Sequence, residues 1–263
     1  MKKVTLIFLA LLFFINLTAQ EQVVFVGHRG VSYLAPENTL ASYELAWKLG
    51  AEAAECDIML TKDKKVIVFH DKKGKRLTGQ DFIVKEAVYE DIKSFPIKLK
   101  ETNLKKFEGQ TIPLLSDLLQ LIPEDRTLVI EIKTGVEILP YMQEIISEYW
   151  KSGKITFIAF DFETILETKK LYPEIPCYYL SAFGHDIKKK FKEIIASDLD
   201  GVNLRHQIIS EKLVKNYTDE GKEVWCWTVN DPSDAKQLIN IGVVGITTDR
   251  PVWLQEAVIN QME

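Results

Sequence analysis

Short apolar runs alternate with longer amphipathic stretches along most of this 263-residue chain. Eight runs read as strands: Val23–Gly27, Ala53–Met59, Leu128–Ile132, Ile155–Phe160, Cys177–Ser181, Gly201–Leu204, Glu223–Val229 and Gly245–Thr248. The stretches between them carry helical spacing: Thr39–Leu49, Leu114–Leu121, Glu137–Tyr149, Glu163–Leu171, Ile187–Ile195, Ser210–Glu220, Pro232–Ile239 and Pro251–Asn260. A strand followed by a helix, repeated with short connections, predicts parallel βα units. Eight such units in this length predict an α/β fold closed as a (β/α)8 TIM barrel. An open doubly wound sheet is the alternative, but no Gly-rich dinucleotide loop follows the first strand.

One unit breaks the rhythm. The charged stretch Thr61-Lys62-Asp63-Lys64-Lys65 runs straight into Val66–Phe69, with no room for a helix. A hairpin turn centred near Asp63 would fold His70 back alongside Asp57, within a residue of register. From Lys72 to about Gly109 the chain is polar, Lys-rich and weakly periodic. This segment reads as a small insertion over the barrel mouth, not a second domain.

Residues 1–19 read as a secretory signal peptide outside the fold. Lys2 and Lys3 begin it, Val4–Leu17 is apolar but for Thr5 and Asn16, and Thr18-Ala19-Gln20 offers a small-residue cleavage site. The apolar core is shorter than the roughly 20 residues a spanning helix needs. The expectation is an exported protein, periplasmic or extracellular. Its mature chain, 20–263, would be one barrel domain without stable membrane insertion. Lys2 and Lys3 are the only charges in the segment, so the remainder is two units more acidic than the whole chain's −5. That balance argues against nucleic acid as a partner. A small phosphodiester can bind only through a local cationic site. Cys56, Cys177 and Cys226 cannot all pair within one chain. Buried free thiols are expected, with Cys56 and Cys226 turned toward the helix layer.

The polar residues that interrupt or end the strands gather on one rim. His28 follows the first strand in Gly27-His28-Arg29-Gly30. Glu55 and Asp57 lie two apart late in the second strand, and Glu131 and Lys133 two apart at the end of the third. His70 follows the hairpin run; Trp227 and Asn230 close the seventh strand, and Asp249 the eighth. Residues two apart on a strand share a face, and barrel active sites lie at the C-terminal strand ends. Histidines beside same-face carboxylates suggest acid/base chemistry around a metal ion. Three close carboxylates raise one another's pKa unless a cation intervenes. A hard divalent ion, Ca2+ or Mg2+, meets that need; so does an ion network with Arg29 and Lys133. Spacing alone leaves both open. Asn38 or Thr39 reads as the cap of the first helix, with Glu37 near its positive end. Asp249, before Arg250-Pro251, reads as a further cap.

The order of pieces along the chain is specific where each piece alone is weak. His28-Arg29-Gly30, Ala35-Pro36-Glu37-Asn38-Thr39, Glu55-Cys56-Asp57, Thr61-Lys62-Asp63 and Phe69-His70-Asp71 are followed by Ile130-Glu131-Ile132-Lys133, Val224-Trp225-Cys226-Trp227-Thr228-Val229-Asn230 and Thr248-Asp249-Arg250-Pro251. This set resembles the glycerophosphodiester phosphodiesterase family over nearly all of the mature chain. Cys56 departs from the family's more usual aliphatic residue, and the Lys-rich segment after His70 is less regular than the family's. The resemblance implies metal-dependent hydrolysis of a small-molecule glycerophosphodiester to sn-glycerol 3-phosphate and an alcohol. It implies His28 and His70 as general acid and base, and Glu55, Asp57 and Glu131 as ligands of Ca2+ or Mg2+. Arg29 and Lys133 would face the phosphate. Trp227 would wall the leaving-group pocket, with plain barrel core as its other reading. Two alternatives stand beside this one. The first is a phosphoinositide- or lysolipid-cleaving phosphodiesterase on the same barrel. The second is an exported, non-catalytic binding protein for phosphorylated metabolites, against which the intact histidine pair argues.

Overall fold

A computed structural model of the protein describes residues 23–259, so the expected leader, 1–19, lies outside the described residues. The strands are β1 (Val24–Gly27), β2 (Ala53–Leu60), β3 (Val66–Val68), β4 (Thr127–Ile132), β5 (Lys154–Ala159), β6 (Cys177–Ser181), β7 (Gly201–Arg205), β8 (Glu223–Trp227) and β9 (Gly245–Thr248). All except β3 run parallel, and β1 pairs with both β2 and β9, which closes the barrel. Helices Leu40–Leu49, Leu115–Leu119, Leu139–Tyr149, Phe162–Leu171, Gly184–Ala196, Glu211–Thr218, Pro232–Asn240 and Pro251–Ile259 follow in alternation. The fold is the (β/α)8 barrel expected from the alternating pattern.

Parallel strands buried on both faces need near-continuous apolar sequence, and alternate residues here serve two layers. Val26, Val129, Ile158, Tyr178, Leu180 and Trp225 fill the barrel interior. Phe25, Ile58, Ile130, Phe157, Leu204 and Ile246 face the helices. Cys56 and Cys226 also lie in that outer layer, and all three cysteines are free and buried. Side-chain caps start several helices: Thr39 accepts from Ser42 N–H, Asp161 from Thr164 N–H and Ser210 from Leu213 N–H. Gly245 is required by close approach, since a Cβ there would lie 2.2 Å from the Trp225 ring. Among the described residues no helix is long and apolar enough to cross a membrane.

The hairpin is present and its register is fixed. β3 runs antiparallel to β2, pairing Ile58 with Val68, Met59 with Ile67 and Leu60 with Val66. Phe69 N–H donates to Asp57 O at 2.9 Å, which carries His70 back to the level of the carboxylates. The turn is held by Thr61, whose N–H donates to Lys65 O and whose hydroxyl donates to Asp63 Oδ1 at 2.7 Å. After it, the Lys-rich segment forms short helices Lys75–Thr78 and Tyr89–Ile92. Leu77, Val84, Ile92 and Ile97 from this segment pack on Met59, Ile67 and Phe69 of the hairpin. Met59 continues the face of β2 that carries Glu55 and Asp57. The segment therefore covers the hairpin at the rim where those carboxylates emerge. Asn103 Nδ2 and Leu104 N–H anchor its far end to carbonyls at Ser32 and Leu34.

Candidate active site

At the C-terminal strand ends a cavity of about 210 Å³ is lined by His28, Arg29, Glu55, His70, Glu131, Lys133 and Trp227, among others. Asp57 joins Glu55 and Glu131, with one oxygen from each of the three within 4.8 Å of the others. The residues that the family resemblance assigns to the site, His28, Arg29, Glu55, Asp57, His70, Glu131, Lys133 and Trp227, thus meet at one place.

The acidic triad rises from two neighbouring strands. In β2 all residues are buried, Glu55 and Asp57 included, and β4 brings Glu131 into register with Asp57. Burying charge is costly unless it is paired. Part of the pairing is internal. Arg29 N–H donates to Glu55 Oε2 at 2.9 Å, and Arg29 Nε lies 3.3 Å from Asp57 Oδ2. Lys133 Nζ donates to Glu131 Oε1 at 2.8 Å and lies 3.4 Å from Asp57 Oδ1. The ion network of the sequence reading therefore forms, but it is incomplete. Glu55 Oε1 and Asp57 Oδ1 are buried and make no hydrogen bond. Burial, with Asp57 and Glu131 beside it, pushes the Glu55 carboxyl well above the usual range. Burial and Asp57 push Glu131 up to about 7. Burial opposes ionisation of Asp57 too, but Arg29, Lys133 and His70 hold it below the usual value. Carboxylate oxygens without a hydrogen bond, an all-carboxylate donor set and raised pKa values at Glu55 and Glu131 fit a site that could hold a hard divalent cation.

Each histidine is oriented by a carboxylate. A carboxylate only accepts, so the ring nitrogen facing it carries the proton. His28 Nδ1 donates to Asp249 Oδ1 at 2.8 Å, and His70 Nδ1 donates to Asp71 Oδ1 at 2.6 Å. In both rings Nε2 is the nitrogen not held by the carboxylate. Burial lowers the His70 pKa, and Arg29 and Lys133 add to that against the pull of Asp57. Trp227 packs edge-on against Phe160, ring centres 5.5 Å apart, and its indole N–H donates to Asn203 O.

The loop after β1 is the least relaxed part of the site. Arg29 and Asn38 both have left-handed backbones, with φ of 54° and 58°. Non-glycine residues there carry strain, which accumulates at functional sites. The turn aims the Arg29 N–H at Glu55. Gly30 follows at φ +85°, where a Cβ would lie 2.9 Å from the Ser42 backbone.

Several residues differ from their sequence assignments. Of the two cap candidates for the first helix, Thr39 is the cap, as the sequence allowed. Asn38 instead donates to Asp57 Oδ2 at 2.8 Å while its Oδ1 accepts from Tyr43 OH. Glu37 does not serve the helix end; it is buried and ion-paired to Arg29, Arg76 and Lys100. Asp249 is drawn away from capping because three side chains engage it: His28, Ser32 and Asn230. Asp71 was visible beside His70 but given no role. It holds His70 and is itself gripped by Arg76 through two bonds of 2.6 and 2.8 Å. Asn203, which also lines the cavity, carried one signal: asparagine is depleted in strand interiors.

A closed barrel with acid, histidine and cation side chains on its C-terminal rim is a site that could hold a metal ion beside acid/base groups. Comparison with known proteins identifies the family. Residues 28–252 match the glycerophosphoryl diester phosphodiesterase family, and the chain belongs to that family of phosphoric diester hydrolases. A glycerophosphodiester phosphodiesterase of Caldanaerobacter subterraneus is 31% identical over 234 residues, covering 87% of this chain and 95% of that one. One of Bacillus subtilis is 27% identical over 258 residues, covering 90% and 86%. Among solved structures, an Oleispira antarctica phosphodiesterase in complex with its product sn-glycerol-3-phosphate superimposes with a TM-score of 0.80. It is 27% identical and covers 90% of this chain and 96% of its own.

Proposed function

We propose that the protein cleaves glycerophosphodiesters to sn-glycerol 3-phosphate and a free alcohol by histidine acid/base catalysis at a divalent cation. The observation that carries this reading is the pair of histidines, each locked by a carboxylate through Nδ1, around one cavity with the acidic triad. A site for binding alone needs cations, not two oriented imidazoles.

Glu55, Asp57 and Glu131 would hold the cation, and neither Glu55 Oε1 nor Asp57 Oδ1 is engaged in a hydrogen bond. Bound there, it supplies Lewis-acid polarisation of a phosphoryl oxygen. Arg29 and Lys133 line the same cavity and neutralise charge that develops on the phosphoryl group. One histidine takes the proton of the attacking hydroxyl, from water or from the substrate. The other gives its proton to the departing alkoxide as the phosphorus–oxygen bond breaks. Trp227 and Phe160 wall the exit for the alcohol. The test is a panel of glycerophosphodiesters with the purified protein, first in chelator and then with Ca2+ or Mg2+ restored. Turnover should vanish and return. Full activity in excess chelator would rule out the metal-assisted reading.

A further inference from the structure

Asn203 is the one residue of the cavity whose state the proposed chemistry does not explain. It is 1% exposed, and neither Nδ2 nor Oδ1 has a hydrogen-bond partner among the described residues. Its neighbours Val202 and Leu204 face the helices, so the amide faces the interior. There it lies in register between Leu180 and Trp225, both apolar to it. Burying an amide without partners costs free energy of the order of a hydrogen bond or more. A leucine, with the same branched heavy-atom skeleton, would occupy this place without that cost. The position therefore holds hydrogen-bonding capacity in reserve, and it lines the same cavity as the triad and the histidines.

The chemistry of the reserve is specific. A neutral amide offers two donors and an acceptor, which matches hydroxyl groups and gives no advantage to a phosphate. The place in the barrel is also specific. In ring order β7 lies diametrically across from β2, so Asn203 faces the acidic triad and its cations across the cavity. A phosphoryl group held by Arg29 and Lys133 would have β7 on the facing wall of the same cavity. One substituent of a diester varies and must reach solvent through the mouth. The other is constant and can be enclosed. Asn203, fully buried, belongs to the enclosed side.

We infer that Asn203 is a specificity-determining residue that hydrogen-bonds a hydroxyl of the polyol portion retained on the phosphate. This rests on the proposed reaction for the identity of that polyol as glycerol. The residue contacts substrate, not the reacting atoms, so its loss should act on ligand discrimination.

The experiment compares sn-glycerol 3-phosphate with propyl phosphate, which has the same chain and charge without the hydroxyls. Both are titrated calorimetrically into wild type, Asn203→Leu and Asn203→Ala, with Ca2+ and separately with Mg2+. Asn203→Leu should lose about tenfold in affinity for sn-glycerol 3-phosphate, the worth of a hydrogen bond of about 1.4 kcal/mol, and bind propyl phosphate as wild type does. Its Tm should be unchanged or raised, because an unpartnered amide has been removed and the added bulk of leucine can extend into the cavity. Asn203→Ala should show the same discrimination and keeps the test open if the leucine variant does not fold. Equal losses for both ligands, or none, would overturn the inference. So would a lowered Tm in both variants with ligand preference intact, since the amide would then serve only the fold. Turnover of glycerophosphodiesters is read separately. No turnover by wild type with the ligand preference present would sink the enzymatic reading and support the polyol subsite. Turnover with a preference that Asn203→Leu leaves untouched would sink the subsite alone.

Discussion

The two histidines are held by the same bond, but from different parts of the molecule. His28 lies at the end of β1, and its partner Asp249 lies 221 residues away. What joins them is closure of the barrel, through the pairing of Gly27 with Thr248 between β1 and β9. Asp249 is fixed in turn by Ser32 and by Asn230, whose Oδ1 also accepts from Asp249 N–H at 2.9 Å. These bonds lower the Asp249 pKa well below the usual carboxylate range, against the opposing effect of burial. His70 is held by its neighbour in sequence, Asp71, and Asp71 is held by Arg76 from the Lys-rich segment. One imidazole is thus oriented by the scaffold, the other by a local motif braced by an insertion. The first fails only if the barrel opens. The second can be loosened without touching the barrel.

The largest effect should fall on both regions alike. His28→Ala and His70→Ala should each lower kcat by about 10²–10⁴-fold, the usual worth of a positioned acid or base, with little change in KM. The double variant should be little worse than either single one, because the groups act as a unit. Steady-state kinetics on a natural glycerophosphodiester checks this. Near-normal kcat in either alanine variant would remove that histidine from the chemistry.

Glu37 joins the two regions, and its effect should appear in stability. It is 2% exposed and pairs with Arg29 from the β1 loop and with Arg76 and Lys100 from the insertion. Burial opposes its ionisation, but the Arg76 hydrogen bonds and the charges of Arg29 and Lys100 hold its carboxyl far below the usual range. A carboxyl with a depressed folded-state pKa stabilises the fold above its unfolded value of about 4.3. That stability is lost as the pH falls toward the folded value. Glu37→Gln should therefore cost about 3–5 kcal/mol at neutral pH, the usual result of removing one partner of a buried ion pair. The gap to wild type should narrow as the pH is stepped below about 4. Urea unfolding at each pH measures it, and a gap that does not change with pH would contradict the assignment.

The contrast between the two histidine supports also governs what the sequence makes legible. The strands of the barrel were readable because burial on both faces imposes apolar runs, and Cys177–Ser181 and Gly245–Thr248 fall where the runs predict them. The hairpin was readable because Thr61 to Lys65 leaves no space for a helix. Glu55, Asp57 and Glu131 stood out as charges inside or ending apolar runs, and strand parity put them on one face. The Asp249–His28 bond was not readable from local pattern, since it exists only once β9 meets β1. Local pattern assigned Asp249 to a helix start instead. Glu37 was misplaced for the same reason: its partners Arg76 and Lys100 come from a segment whose weak periodicity gave no direction to its side chains. Asn38 escaped because its left-handed backbone, which turns the amide onto Asp57, leaves no mark in composition.

The smallest effects should separate the two supports most sharply. Asp249→Asn and Asp71→Asn each weaken the hold on one imidazole, and each should lower kcat about 10–100-fold, the usual worth of a carboxylate behind a site histidine. Arg76→Gln removes the brace on Asp71 and two bonds to Glu37, but leaves the His70 bond itself. Arg76 is 48% exposed and its pairing is solvent-screened, so its loss alone should cost only a few-fold. Coupling is the informative quantity. Arg76 and Asp71 share a hydrogen-bonded pair, so Arg76→Gln added to Asp71→Asn should cost less than it does in wild type. Among the described residues Arg76 bonds to Asp71 and Glu37 and not to Asp249, Ser32 or Asn230, and Arg76→Gln added to Asp249→Asn should multiply its full few-fold effect. The pH–rate profile gives a second reading of the same cycle. Arg76→Gln should shift the limb that reports His70, and Asp249→Asn should leave that limb in place. If Arg76→Gln couples equally to both aspartates, the two histidines are oriented by one shared network. The distinction between scaffold and insertion would then be structural without being functional.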